Sequence, residues 1–135
     1  MSIAHGTIAF DTLTTSDQVN TGTEKSIDTS YIFNGVLKAW INHDASVSVD
    51  DSFNRSGNTD VATGRFRTTY TNPMGNALYV VLGTASIGGH YVSLGIDSNG
   101  NGITTTTVDV YTSRTDNGNL GDPAIITYAV SGDLA

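Results

Sequence analysis

The sequence predicts an all-β fold, a jelly-roll-like β-sandwich that follows an extended N-terminal arm. About eight or nine short segments alternate between apolar and polar residues, as strands with one buried face do. Clusters of turn-forming residues separate these segments. Only 38% of the chain is hydrophobic, and Thr, Ser, Gly, Asn and Asp are abundant, a mixture that suits strands and turns better than helices. We expect the arm at residues 1–30 and the sandwich domain at residues 31–135.

The first thirty residues are polar with two short apolar patches. Thr7–Leu13 fits a strand, and between Thr14 and Ser30 the large apolar residues are Val19 and Ile27. This composition fits either a short strand with a long surface loop or an arm that binds another subunit. Long loops without structure are uncommon inside compact domains. The arm, or a domain-swapped strand, is therefore favoured.

The stretch Gly35–Asn54 carries the clearest strand–turn–strand pattern and contains the single tryptophan. Its first half alternates between two sets, which are Leu37, Ala39 and Ile41 on one side and Val36, Lys38, Trp40 and Asn42 on the other. Asn42–Ala45 predicts a turn, and the alternation resumes at Val47. We expect a β-hairpin here.

The remainder of the chain alternates between turns and short strands. Phe53–Gly64, rich in Ser, Gly, Asn and Asp, predicts a loop, and the continuous apolar run Leu78–Leu82 predicts a strand covered on both faces. His90 is expected on an apolar strand face. The other predicted strands are Arg65–Thr71, the segment around Val92, Leu94 and Ile96, a Thr-rich strand that ends at Tyr111, and Ala124–Val130.

Charge and cysteine content exclude several classes of function. The formal net charge is −7, with 6 Lys and Arg residues, so neither nucleic acid nor an anionic membrane is an expected partner. Cys is absent, which excludes disulfides and thiolate metal sites. The first residues lack a basic region followed by an apolar run, so we expect synthesis in a cytoplasm without a signal peptide.

One loop resembles the first half of a calcium-binding loop. Asp97, Asn99 and Asn101 place three oxygen-bearing side chains at alternate positions in D-S-N-G-N-G, as ligands of a hard cation are placed. The twelfth position is Val108 instead of a bidentate Glu. A tight turn that uses Asn and Gly for positive φ angles explains the same residues. Calcium at this loop is the one cofactor that the sequence suggests.

The remaining polar residues do not form a catalytic pattern. His5, His43 and His90 are far apart in sequence, and the sequence gives no pairing for the carboxylates, which include Asp44, Asp50, Asp51, Asp60, Asp109, Asp116, Asp122 and Glu24. We therefore expect no enzyme activity. The tryptophan and the tyrosines fit two roles, contact with a partner at the surface or packing in the core. These residues are Trp40, Tyr31, Tyr70, Tyr79, Tyr91, Tyr111 and Tyr128.

A family resemblance comes from the central stretch and the strands after it. The motif K-A-W-I-N at Lys38–Asn42 is followed by D-S-F-N at Asp51–Asn54 and by T-G-R-F-R-T-T-Y at Thr63–Tyr70. The similarity continues through Thr71–Met74 and Ala77–Val81. This pattern resembles a β-domain found at the ends of tail-fibre-like and other virion proteins of tailed bacteriophages.

The resemblance implies a non-enzymatic virion protein made in the host cytoplasm. A tail-fibre-like adhesin or tip module that contacts the host surface is the first expectation, and a capsid decoration protein of the cement or head-fibre type is the alternative. Expected partners are further copies of the chain as a homo-oligomer, most simply a trimer, other virion proteins bound through the arm, and a glycan of the host surface.

Overall fold

The structure, a computed structural model, describes residues 12–14, 26–28, 35–90 and 92–133. The chain divides into two compact units, Met1–Val36 and Leu37–Ala135. This division falls later than the boundary expected after Ser30. Among the described residues no helix combines the length and the apolar character that a membrane crossing requires.

The described residues of the first unit form an antiparallel strand pair. Strand β1 (Thr12–Thr14) pairs with β2 (Ser26–Asp28), with Leu13 opposite Ile27. Most of the predicted arm lies outside the described residues, as does Tyr31–Phe33.

The described part of the second unit forms eight strands in two antiparallel sheets. Their bounds are β3 Leu37–His43, β4 Val49–Phe53, β5 Arg55–Ala62, β6 Arg65–Tyr70, β7 Val80–Ser86, β8 Val92–Ile96, β9 Thr107–Arg114 and β10 Ile125–Ser131. The first sheet has the order β4-β3-β10-β7, and the second sheet has the order β5-β6-β9-β8. The predicted all-β sandwich is confirmed. Three neighbouring pairs are consecutive strands, and the jelly-roll part of the prediction is not confirmed.

The core lies between the two sheets and takes alternate residues from each. Phe66, Thr68 and Tyr70 point inward from β6 and are buried, as the alternation of R-F-R-T-T-Y predicts. The other buried apolar residues of this core are Ala39, Ile41, Met74, Tyr79, Val108, Val110, Ile126, Tyr128 and Val130. Each CH2 group that folding removes from water contributes about 0.8 kcal/mol to stability. The packing of the two sheets against each other is therefore the main source of the fold's stability.

The hairpin predicted around Trp40 is present, but its turn lies later than expected. β3 extends to His43, and Asp44 and Ser48 close the turn through the Ser48 N–H, which donates to Asp44 Oδ1 at 2.9 Å. His43 was expected in the turn. Instead it is 1% exposed, with its ring against Phe66 and Tyr128.

Asn54 forms the corner where the chain passes from the first sheet to the second. Its φ angle is 55°, a conformation that Asn adopts more readily than most residues. The Asn54 side-chain amide donates to the carbonyl of Lys38 at 3.0 Å and to that of Asn72 at 3.1 Å, while its oxygen accepts the Asn72 N–H at 2.7 Å. Trp40 lies opposite Phe53 in the hairpin. The motifs K-A-W-I-N and D-S-F-N therefore meet as a structural corner.

Two strand assignments from sequence were wrong. The predicted loop Phe53–Gly64 contains β5, an edge strand whose pairing with β6 has register shifts around Gly57 and Asp60. The strand predicted at Leu78–Leu82 and expected to be covered on both faces begins at Val80, as β7, and lies at the edge of the first sheet with Leu82 66% exposed. Strand pairing overrides local composition in the first case, and in the second case the described residues place β7 at a sheet edge with Val80 and Leu82 exposed.

Candidate ligand crevice and assembly patch

The outer face of the second sheet is polar and charged. Its central strands β6 and β9 place Arg65 opposite Tyr111 and Arg67 opposite Asp109. These positions alternate with the buried Phe66 and with Val108 and Val110, so the strand period itself directs the charged groups outward.

Arg67 and Asp109 form a closed ion pair. Arg67 Nε donates to Asp109 Oδ1 and Arg67 Nη2 donates to Oδ2, both at 2.7 Å. The Asn101 N–H also donates to Asp109 Oδ2 at 2.7 Å. Burial raises the pKa of Asp109, but the hydrogen bonds from Arg67 and Asn101 outweigh it, and the pKa lies below its ordinary value. This carboxylate therefore fixes the loop 97–102 to the sheet.

Arg65 and Asp97 form an open pair on the same face. Arg65 Nη1 lies 3.5 Å from Asp97 Oδ2, a longer contact than an N–H···O hydrogen bond normally spans. Asp97 is 4% exposed, and its Oδ1 accepts the Asn99 N–H at 3.1 Å. Arg65 lines the space beside this carboxylate, whereas Nε and Nη2 of Arg67 are both hydrogen-bonded to Asp109.

The open pair borders a crevice of about 180 Å³. Its walls come from β6, the end of β8, the following loop, β9 and the segment before β10, and they are Arg65, Ile96, Asp97, Ser98, Asn99, Tyr111 and Leu120. Guanidinium donors, a carboxylate, an amide, a hydroxyl and an aromatic ring therefore converge on one small volume. This mixture can hydrogen-bond a polar ligand and cover one of its faces.

The predicted calcium residues lie at or beside this crevice. Asp97 and Asn99 line it, while Asn101 contributes its backbone N–H to Asp109. The Asp97 carboxylate is engaged by the Asn99 N–H, as in an Asx turn, and faces the Arg65 guanidinium. Within the described ranges, His, Asp and Glu side chains do not gather in groups of three or more that could hold a metal. Calcium binding at Asp97, Asn99 and Asn101 stays a prediction.

The outer face of the first sheet carries an apolar patch. Two rows of residues in register cross the strands, Phe53–Trp40–Ala129–Leu82 and Leu37–Ser131–Val80. Exposure is 66% for Leu82, 55% for Val80, 53% for Phe53 and 50% for Leu37. We call Leu37, Trp40, Phe53, Val80, Leu82 and Ala129 the apolar patch. A group of large apolar residues exposed side by side indicates a contact surface, whereas single exposed apolar residues are ordinary on a solvated surface.

The structure separates core tyrosines from one that lines the crevice. Tyr70, Tyr79 and Tyr128 are buried, while Tyr111 is half-buried at the crevice. Tyr31 and Tyr91 lie outside the described residues. His90 was expected on an apolar strand face. It instead precedes β8, and its Nδ1 lies 2.9 Å from Arg114 Nη2. The sequence did not single out Arg65 or Tyr111, because their proximity depends on strand register.

Comparisons with protein-family models, with curated proteins and with solved structures found no match.

Proposed function

We propose that this chain is a non-enzymatic structural protein of a phage virion, used as a tail-fibre-like adhesin or tip module that contacts the host surface. The contrast between its two outer faces carries the proposal. The apolar patch suits a permanent contact within an assembly, and the polar face with its crevice suits recognition of a molecule outside it. The similarity of the K-A-W-I-N and D-S-F-N motifs to phage virion domains supplies the biological setting.

A non-enzymatic role agrees with how the buried carboxylates are used. Asp109 is neutralised by two hydrogen bonds from Arg67, and Asp97 is held by the turn and by Arg65. A general acid requires a carboxyl group whose pKa is raised towards neutrality. The pKa of Asp109 is lowered, which suits a structural anchor.

The apolar patch is proposed to bind a second copy of the chain. The patch is free of charge, so two chains with a net charge of −7 meet there without direct repulsion. Strand β7 continues the surface at the sheet edge, and its sequence V-V-L-G-T-A-S lacks the charges and prolines that protect exposed edges. Edge pairing and patch contact can therefore act together in a homo-oligomer, and the resemblance to tail-fibre-like domains implies a trimer or another closed assembly.

Dimensions limit how strong this association can be. Four strands and two residue rows cover roughly 19 Å by 13 Å, or about 250 Å², from standard strand spacings. Stable interfaces bury about 800 Å² on each partner. The patch alone therefore gives weak association, and β7 pairing or contacts of residues 1–30 with other virion proteins must add to it.

Capsid decoration is the second candidate, and the apolar patch favours it. A small domain that presents an apolar sheet face can seat on a shell lattice as well as on a tail. Immunogold labelling of intact phage particles distinguishes the two roles: label at the tail supports the adhesin, and label over the head supports decoration. Particles that carry no label while the infected cells contain the protein would refute the virion role.

A further inference from the structure

Tyr111 forms one wall of the crevice because its neighbour in the sheet is a glycine. Gly95 of β8 is opposite Tyr111 of β9. A Cβ atom at Gly95 would lie 2.7 Å from both Cε1 and Cζ of Tyr111, far inside van der Waals contact. The ring therefore extends over the Gly95 backbone, towards the loop that carries Asp97. The absence of a side chain at residue 95 is what lets an aromatic wall form there.

Polar groups of both hydrogen-bonding types surround the same space. Arg65 supplies N–H donors, Asp97 supplies a carboxylate acceptor, and Asn99 can act as both. Because Arg65 Nη1 and Asp97 Oδ2 are 3.5 Å apart, longer than a normal N–H···O hydrogen bond, both groups can bond to one small molecule that lies beside them in the crevice. In the neighbouring Arg67–Asp109 pair, by contrast, two hydrogen bonds of 2.7 Å join the guanidinium and the carboxylate directly.

Volume and charge restrict the ligand. A space of about 180 Å³ is below the roughly 300–1,000 Å³ of pockets for drug-sized molecules, so it admits one small unit. Anions are disfavoured because Asp97 and Asp109 oppose the arginines and the chain carries a net charge of −7. Cations are disfavoured by the Arg65 guanidinium. An uncharged molecule with adjacent hydroxyls and an apolar face satisfies each of these conditions.

We propose that the crevice formed by Arg65, Asp97, Asn99 and Tyr111 binds one neutral sugar unit of a glycan. Adjacent hydroxyls of the sugar accept from Arg65 and donate to the Asp97 carboxylate, and its C–H face lies against Tyr111. Asn99 and Ser98 border the sugar from the loop side. As a host-surface receptor this glycan rests on the proposed function, but sugar binding itself is a property of the isolated chain.

The test uses the full chain and a panel of free sugars. Glucose, galactose, mannose and N-acetylglucosamine are titrated into ¹⁵N-labelled protein, with N-acetylneuraminic acid and inorganic phosphate as anionic probes. We expect millimolar binding of at least one neutral sugar, with chemical-shift changes confined to the crevice residues. No shift with any neutral sugar at tens of millimolar would overturn the proposal, and so would binding of the anions alone.

Variants assign the binding to the crevice. Arg65→Met keeps the aliphatic stem and removes the donors, and Tyr111→Leu removes the aromatic face while still covering Gly95. Loss of one such hydrogen bond or ring contact is expected to weaken binding about tenfold. Arg114→Met is the matched control, because Arg114 lies on the same strand as Tyr111 and pairs with Asp116 outside the crevice. Unchanged affinity in both crevice variants would refute the assignment.

Two further measurements keep the outcomes separate. Thermal melting of every variant establishes that each is folded, and Gly95→Ala provides an independent change, since it displaces the Tyr111 ring without removing any polar group. Gly95→Ala should weaken sugar binding as Tyr111→Leu does, and full affinity in this variant would contradict the role of the ring. Particle labelling addresses the virion role alone, so either proposal can fail while the other stands.

Discussion

Hydrogen bonds between buried hydroxyl groups connect the two sheets, and their removal tests how the core is packed. Tyr128 of β10 and Thr68 of β6 are both 2% exposed. Thr68 Oγ1 donates to Asn58 Oδ1 at 2.7 Å, so its one hydrogen is used and the Tyr128 hydroxyl must donate to Thr68. Burial raises the pKa of Tyr128 above its ordinary value, so this hydroxyl keeps its proton near neutral pH.

Removal of the Tyr128 hydroxyl and removal of the Thr68 hydroxyl should lower the free energy of unfolding by different amounts. Tyr128→Phe deletes a donor while Thr68 remains bonded to Asn58, so the loss is about 1 kcal/mol. Thr68→Val is nearly isosteric but leaves the Tyr128 hydroxyl and the Asn58 carbonyl without their partner. Each unpaired buried group costs about 1–3 kcal/mol, so the two groups together give an expected loss of about 2–6 kcal/mol.

The double variant should be more stable than Thr68→Val alone. With Phe at residue 128, the unpaired hydroxyl is gone and Asn58 is the one group left without its partner, at a cost of about 1–3 kcal/mol. Urea unfolding followed by circular dichroism measures all three variants by linear extrapolation. In thermal melts each kcal/mol corresponds to about 4–8 °C for a domain of this size.

Thr69→Val is the matched control for this cycle. Thr69 is the next residue on the same strand and is half-buried on the outer face, so its free energy of unfolding should change by no more than about 0.5 kcal/mol. If the double variant lost the sum of the two single effects, the hydroxyls would not be bonded to each other and the described core would be wrong.

Four further outcomes are expected. Leu82→Lys should leave the melting temperature within a few degrees and reduce self-association in sedimentation equilibrium, whereas a monomeric parent chain at high concentration would contradict the homo-oligomer. Deletion of Met1–Thr29 should weaken assembly more than it changes the unfolding of the sandwich. The free energy of unfolding should fall as pH drops below about 6.5. Burial lowers the pKa of His43 in the folded state, whereas the unfolded chain binds the proton at the ordinary pKa of histidine. His43→Gln should therefore reduce the dependence of stability on pH between about pH 7 and pH 5. Millimolar calcium should raise the melting temperature if the loop 97–102 binds the ion in the folded state alone, and an unchanged melting temperature would end the calcium hypothesis.

The fold class was predictable because its signal is local. Strands with one buried face alternate every second residue, and β6 and β10 show this without any knowledge of their partners. The hairpin around Trp40 was predictable for the same reason. Its turn was placed too early, since Asn42 and His43 are turn-compatible residues that pairing with β10 keeps in the strand.

Other features depended on pairing that local composition does not encode. The stretch containing β5 has the Ser, Gly and Asn content of a loop, and its backbone hydrogen bonds to β6 make it a strand. The apolar run before Leu82 reads as a covered strand, yet among the described residues it lies at the edge of the first sheet with Val80 and Leu82 exposed. Sheet order decided both outcomes.

The sequence by itself determined that this protein is a two-sided β structure with a strongly acidic surface. It also predicted a polar loop at Asp97, Asn99 and Asn101, either a tight turn or half of a calcium-binding loop, because composition, period and turn chemistry act over a few residues. The tertiary structure alone decided that Arg65, Gly95 and Tyr111 would be neighbours. They come from three strands separated in sequence, and a shift of one residue in either register would turn the crevice side chains towards the core.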